Sequence, residues 1–125
     1  MCQVFISADP RLYENRARSV RLHGVATSIR LENLFWQVLE EIAGRDGMSV
    51  PQLCARLHDE LLAERGSVEN FASFLRVCCG RYRALQLSGG IPRDLSIPIR
   101  SLNAERVLAS EGLPPEVRGG QRQAA

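Results

Sequence analysis

Lysine is absent. All sixteen basic residues of the 125 are arginine, so every permanently cationic side chain is a guanidinium, which suits bidentate contact with phosphate or guanine. A GC-rich genome accounts for the same bias. Nothing marks export or insertion into a bilayer: no basic N-terminal stretch precedes a long apolar run, and no segment approaches the roughly 18 apolar residues of a span. The chain is therefore expected in the cytoplasm, with no membrane partner. The four cysteines, Cys2, Cys54, Cys78 and Cys79, lack the paired spacing of a metal site, and a reducing compartment disfavours a disulfide framework. Cys54 and Cys78 fall on apolar helix faces, where a thiol acts as a small hydrophobe. Cys2 would become N-terminal after removal of Met1, an arrangement that some amidohydrolases use, but no glycine-rich continuation follows it. No nucleophile with its base and orienting group, and no metal-ligand set, can be assembled from the remaining residues. The chain thus reads as a non-enzyme without cofactor or metal. His58 and Asp59 have no motif partners and read as surface residues, and no internal repeat is evident.

What is present is one domain with tails, of ordinary globular composition: 45% hydrophobic and 24% charged. At this size, burying surface against a second subunit adds usefully to the core. The net charge of +2 conceals an uneven distribution. Residues 11–31 hold five Arg against Glu14 alone, residues 32–69 hold three Arg against eight acids, and residues 70–125 hold eight Arg against four acids. The basic character is regional.

The organising stretch is Thr27-Ser28-Ile29-Arg30-Leu31-Glu32. Its apolar residues alternate at the two-residue period of a strand, with Ile29 and Leu31 on one face and Ser28 and Arg30 on the other. No second strand joined by a tight turn is read nearby, so the expected partner is the same strand of a second copy, paired antiparallel about a two-fold axis. Val20 and Leu22 also alternate, but their phase flips across Gly24. A break is therefore placed at His23-Gly24, and the segment before it reads as an extended basic arm whose Arg16, Arg18 and Arg21 could reach phosphates. Further upstream, Val4-Phe5-Ile6-Ser7 suggests a short strand, and Asp9-Pro10 suggests the start of a helical turn lasting to about Arg16.

Three helices follow. Phe35, Val38, Leu39, Ile42 and Ala43 recur at helical spacing over 33–44, with Leu34 and Trp36 widening the apolar surface as expected for a helix touching both its own subunit and another, Trp36 serving core or interface. Gly47 is expected at positive φ beyond its end. Ser49-Val50-Pro51-Gln52 fits a capping box for a helix running to about Arg65, closed by Gly66. The exposed amides at its start could bind a phosphate oxygen. A third helix is expected over 68–86, capped by Ser67, with interior Gly80 suggesting a close helix crossing. Beyond a joint at Ser88-Gly89-Gly90, residues 91–100 read as extended, 103–110 as a short helix, and 112–125 as disordered.

Strand, helix, glycine turn and Ser-capped helix in this order resemble the ribbon-helix-helix superfamily of dimeric DNA-binding proteins, over roughly residues 20–85. Thr27 to Glu32, Phe35-Trp36, Ile42-Ala43 and Gly47-Met48-Ser49-Val50 are similar to its bacterial members. The resemblance implies a mainly α fold with one short N-terminal strand, an intertwined homodimer and an additional third helix. Its domain boundaries would be an arm over 1–19, the ribbon-helix-helix domain over 20–87 and a flexible extension over 88–125. The implied function is DNA binding, as a transcriptional regulator, by a two-stranded ribbon in the major groove. Ala26, Ser28 and Arg30 would face the bases, and Ser49 with the Val50 amide would clamp a phosphate. Ala26 departs from the longer polar residues common there. The alternative is a dimeric protein-interaction module of the same fold, binding a protein through helix 68–86 or the C-terminal extension.

Overall fold

In the computed structural model, residues 2–111 are described. The chain opens with helix α1, Cys2–Ile6, where a strand was expected. A strand there has no partner: Val4, Phe5 and Ile6 remain 75%, 69% and 71% exposed. Main-chain bonding from Ser7 N–H to Gln3 O closes the turn instead (3.3 Å). A short 3-10 turn, Pro10–Tyr13, follows with Asp9 accepting from Arg11 N–H at 3.0 Å, and it ends three residues before Arg16.

The segment expected to be an arm is a strand. Strand β1 (Asn15–Leu22) pairs antiparallel with strand β2 (Val25–Glu32), from Asn15 opposite Glu32 to Leu22 opposite Val25. The connection is the two-residue turn His23-Gly24, with φ of 51° and 75°. Positive φ at both central positions gives a turn whose twist matches that of the strands. The break in phase is thereby explained. Because Leu22 and Val25 lie opposite each other, even-numbered apolar residues of β1 and odd-numbered ones of β2 share one face. Val20, Leu22, Ile29 and Leu31 are all buried there.

Three longer helices cover that face. Helix α2 spans Asn33–Arg45 and ends with Met48 N–H donating to Ala43 O at 2.9 Å, while Gly47 takes φ of 67°. Helix α3, Val50–Arg65, has both arms of the expected capping box and stops at Gly66 with φ of 80°. Helix α4, Phe71–Ser88, begins three residues later than expected. Its cap is Asn70, at φ of 48°, rather than Ser67. Asn tolerates the left-handed region that the chain needs to turn in from Gly66. Gly80 makes no close crossing: a Cβ there would meet nothing within 4 Å.

Trp36, Leu39, Cys54, Leu75 and Leu31 form the fully buried centre. Trp36, which was expected to serve core or subunit contact, is consumed by its own subunit, and its indole Nε1 donates to Arg16 O at 2.8 Å. Leu34 stays 45% exposed. The chain beyond Ser88 turns back on the helices. Gly89 caps α4 with φ of 84°, Ile91 is 6% exposed, and its N–H bonds Leu85 O at 3.1 Å. Arg45, 6% exposed, donates to the carbonyls of Pro92 (3.0 Å), Asp94 (3.1 Å) and Ile97 (3.0 Å), and to the Tyr82 hydroxyl (3.1 Å). One guanidinium thus ties the stretch from Pro92 to Ile97 to α2. A 3-10 turn at Ile99–Ser101 and helix α5, Ala104–Ala109, complete the described chain. Residues 112–125, expected to be disordered, lie outside the described residues. The fold is a two-stranded antiparallel ribbon followed by α2 and α3, with additional helices after them.

Candidate nucleic-acid interface

The outward face of the hairpin follows from its register. Opposed residues of an antiparallel pair share a face, so Ala17 lies beside Arg30, Ser19 beside Ser28 and Arg21 beside Ala26. All six are exposed. Read along each strand, the outward residues are Ala17, Ser19, Arg21 and then Ala26, Ser28, Arg30. The two strands carry the same motif, Ala-x-Ser-x-Arg-Leu, nine residues apart. Since the strands run in opposite directions, this short repeat gives the face an approximate two-fold axis through the Ser19 and Ser28 pair. A single chain therefore displays two arginines at diagonal corners, two serines at the centre and two alanines.

Arg30 has no side-chain partner among the described residues. Arg21 is held by a 3.2 Å bond from Nη1 to Gly24 O. The nearest acid on this face, Glu32 at the strand end, is engaged: its Oε1 accepts from Arg76 Nε at 2.9 Å. Hydrogen bonding from its own backbone and from Arg76 holds the Glu32 carboxyl below its ordinary value. The face offers donors to an anion and lacks a free carboxylate between its corners.

Beside it stands the start of α3. Ser19, Arg21 and Ala26 line a groove of about 430 Å³ together with Pro51, Gln52 and Ala55. Ser49 Oγ accepts from Gln52 N–H at 3.2 Å, and Ser49 N–H donates to Gln52 Oε1 at 2.9 Å. Pro51 has no N–H. Of the first-turn amides, the Val50 N–H is the one left without a partner among the described residues, and it lies at the positive end of the helix dipole.

Arg16 and Arg18 are not part of this face. Arg18 lies opposite Ile29 on the covered side, with its guanidinium carbon 5.2 Å from the Trp36 ring and Nη1 3.6 Å from Glu40. Arg16 lies opposite Leu31, and its side chain lines a polar groove of about 540 Å³ with Asp9, Arg11, Asn33, Gln37 and Glu40. Thus Ala26, Ser28, Arg30 and Arg21 are brought together, with Ser49 and Val50 at the edge, whereas Arg16 and Arg18 point elsewhere. Ala17 and Ser19 escape a reading of the sequence that treats their segment as an arm. The signal that finds them is the repeated Ala-x-Ser-x-Arg.

The thiols of α3 and α4 offer little chemistry. Burial pushes Cys54 up to about 11 and Cys79 up to about 12, and burial also raises Cys78. No helix among the described residues is long and apolar enough to cross a membrane.

Residues 15–83 match the sequence model of a family described as the ribbon-helix-helix domain. The matched span opens at the first residue of β1 and closes within α4. A solved structure similar to this chain is an uncharacterized protein from Bordetella pertussis Tohama I. It shares 62% sequence identity and superposes with a TM-score of 0.87 over 93% of this chain and 91% of that one. A search of curated proteins gives no match.

Proposed function

The chain belongs to the ribbon-helix-helix domain family, and on that premise we propose that it binds double-stranded DNA through the outward face of its hairpin, as a homodimeric transcriptional regulator. The observation that carries this reading is the twofold-repeated Ala-Ser-Arg display on β1 and β2. A ribbon of two strands is narrow enough for the major groove, about 12 Å wide. Arg30 and Arg21 then stand where a guanidinium can reach guanine O6 and N7, and Ser19 and Ser28 make shorter contacts near the axis. Ala17 and Ala26 donate nothing and leave room for close approach, which favours modest sequence preference. The Val50 amide beside Ser49 meets a flanking phosphate, as helix starts do.

Dimerisation is supported by apolar residues that the single chain leaves uncovered: Leu34 at 45% exposure, Val77 at 55% and Leu87 at 77%. The unpaired edge of β2 is a second route. Four strands at about 4.8 Å spacing would put the outermost two roughly 14 Å apart, wider than the groove. We therefore favour a dimer that leaves each hairpin free to read its own half-site.

The test is capture of fragments from a sheared genomic duplex pool across a salt series. DNA reading predicts binding that weakens steeply with salt and retained fragments that share a short, near-palindromic sequence. Absence of binding at low salt by a folded protein would favour a protein-interaction module, a reading supported by the exposed apolar residues Val77 and Leu87 of α4.

A further inference from the structure

Away from the outward face, the tip of the hairpin meets the middle of α3, and two histidines and a carboxylate converge there. His23 occupies the first position of the turn, with φ of 51°, and its Nε2 lies 3.5 Å from Asp59 Oδ1. His58, the preceding residue on α3, sets its ring 5.9 Å from that of His23 in an edge-on arrangement. One ligand atom from each of the three lies within 4.8 Å of the others. These are the only two histidines in the chain, and folding brings both to one place from 35 residues apart.

We propose that His23, His58 and Asp59 bind a divalent transition-metal ion of the zinc, cobalt and nickel class. Three features favour this over a solvated cluster. The donors are two imidazoles and one carboxylate, the set that borderline metals prefer and that calcium and magnesium do not. Their combined charge, one negative with both rings neutral, suits a dication. Independently, His58 Nδ1 is buried with no hydrogen-bond partner among the described residues. Such a nitrogen is usually satisfied, so it is free to act as a ligand. Bond lengths of about 2.0–2.2 Å to nitrogen and oxygen require tetrahedral donors roughly 3.4 Å apart. The cluster must contract by about an ångström, within reach of rotation about the side-chain bonds of His23 and Asp59, which are 57% and 56% exposed. His58 is the less mobile anchor, held edge-on against Phe71 at a ring separation of 5.1 Å. Three protein ligands leave a coordination position for water. Bound metal would clip the hairpin tip to α3, two residues from Arg21 on one side and three from Ala26 on the other.

The experiment is titration of the chelator-treated full-length protein with Co(II), read by visible absorption, and with Zn(II), read by calorimetry and by the thermal midpoint. The wild type should bind one ion per chain, with ligand-field bands of nitrogen and oxygen coordination and no thiolate charge-transfer band, and its midpoint should rise. His23→Ala and Asp59→Asn, both exposed and expected to fold, should each lower affinity by roughly tenfold or more, at least the loss that outer-shell substitutions produce. Cys2→Ser should bind as the wild type does. Equal affinity in wild type, His23→Ala and Asp59→Asn, a thiolate band abolished by Cys2→Ser, or no saturable binding would each overturn the site. None of these readouts depends on DNA.

Discussion

Arg45 is the one charged residue that is buried among those described. It is buried without a carboxylate in direct contact, and its positive charge reaches Glu41 through the Tyr82 hydroxyl, which donates to Glu41 Oε2 at 2.6 Å while accepting from Arg45. Three main-chain carbonyls depend on the same guanidinium. Replacing Arg45 with Ala leaves those part-buried acceptors without their donor, each at a cost of about 1 kcal/mol, the low end for a lost hydrogen bond. We expect a total loss of roughly 3 kcal/mol or more in chemical denaturation, with protease cleavage appearing between residues 90 and 103. The cysteines permit a second residue-scale check. Burial keeps Cys54 and Cys79 protonated at neutral pH, whereas Cys2 is exposed. Iodoacetamide should label Cys2 quickly in the native protein, half-buried Cys78 more slowly, and Cys54 and Cys79 only on unfolding. Early labelling of Cys54 would contradict the described core. Neither arrangement is fully legible in sequence. The burial of Cys54 followed from its helix face, but nothing near Arg45 in the sequence announces its role, because its main-chain acceptors lie some fifty residues downstream.

At the scale of elements, local chemistry is legible where one residue type has one good use. Ser49 and Gln52 three positions apart, with Gly47 before them, located the start of α3 and the end of α2. Where two residue types serve equally, the sequence misleads: serine and asparagine both cap helices, but only Asn70, not Ser67, fits the left-handed backbone at the start of α4. The hairpin was hidden for a related reason. His23-Gly24 is not the Asn-Gly or Asp-Gly pair that announces such turns, and the flipped phase of Val20 and Leu22 looked like an interruption when it was the turn's own signature. Two glycines test this assignment against each other. Neither would place a Cβ against a neighbour, so backbone alone decides. Gly24→Val forces a β-branched residue to φ of 75° and should destabilise by about 1–2 kcal/mol. Gly80→Ala, in the interior of α4, should stabilise by up to about 1 kcal/mol. Thermal denaturation of both variants distinguishes them, and a neutral Gly24→Val would remove the turn.

For the whole molecule, electrostatics ties the ribbon to the helices and sets the acid limit of stability. Burial pushes the Glu41 carboxyl up, but hydrogen bonds from Tyr82 and Arg83 more than offset it, and the net value lies below the ordinary 4.5. Glu32, bonded to Arg76, is lowered as well. A carboxylate lowered on folding contributes stability that is complete above its unfolded value and is lost as pH falls through the folded one. Unfolding should therefore steepen below about pH 4.5, and Glu41→Gln should flatten that limb. The architecture of ribbon, Ser-capped helix and further helix was readable from periodicity. The two-fold character of the ribbon within one chain was not, because it needs the pairing register to turn a nine-residue repeat into a symmetric face.

DNA binding by that face is measured by fluorescence anisotropy on a duplex recovered by selection, comparing wild type with Arg30→Ala, Arg21→Ala and the double variant. Arg30 and Arg21 occupy equivalent corners, so each single substitution should cost about 1–3 kcal/mol of binding by a similar amount, with circular dichroism unchanged. Loss from Arg30→Ala with none from Arg21→Ala would contradict the symmetric face, and unchanged affinity in the double variant would contradict DNA reading by the hairpin.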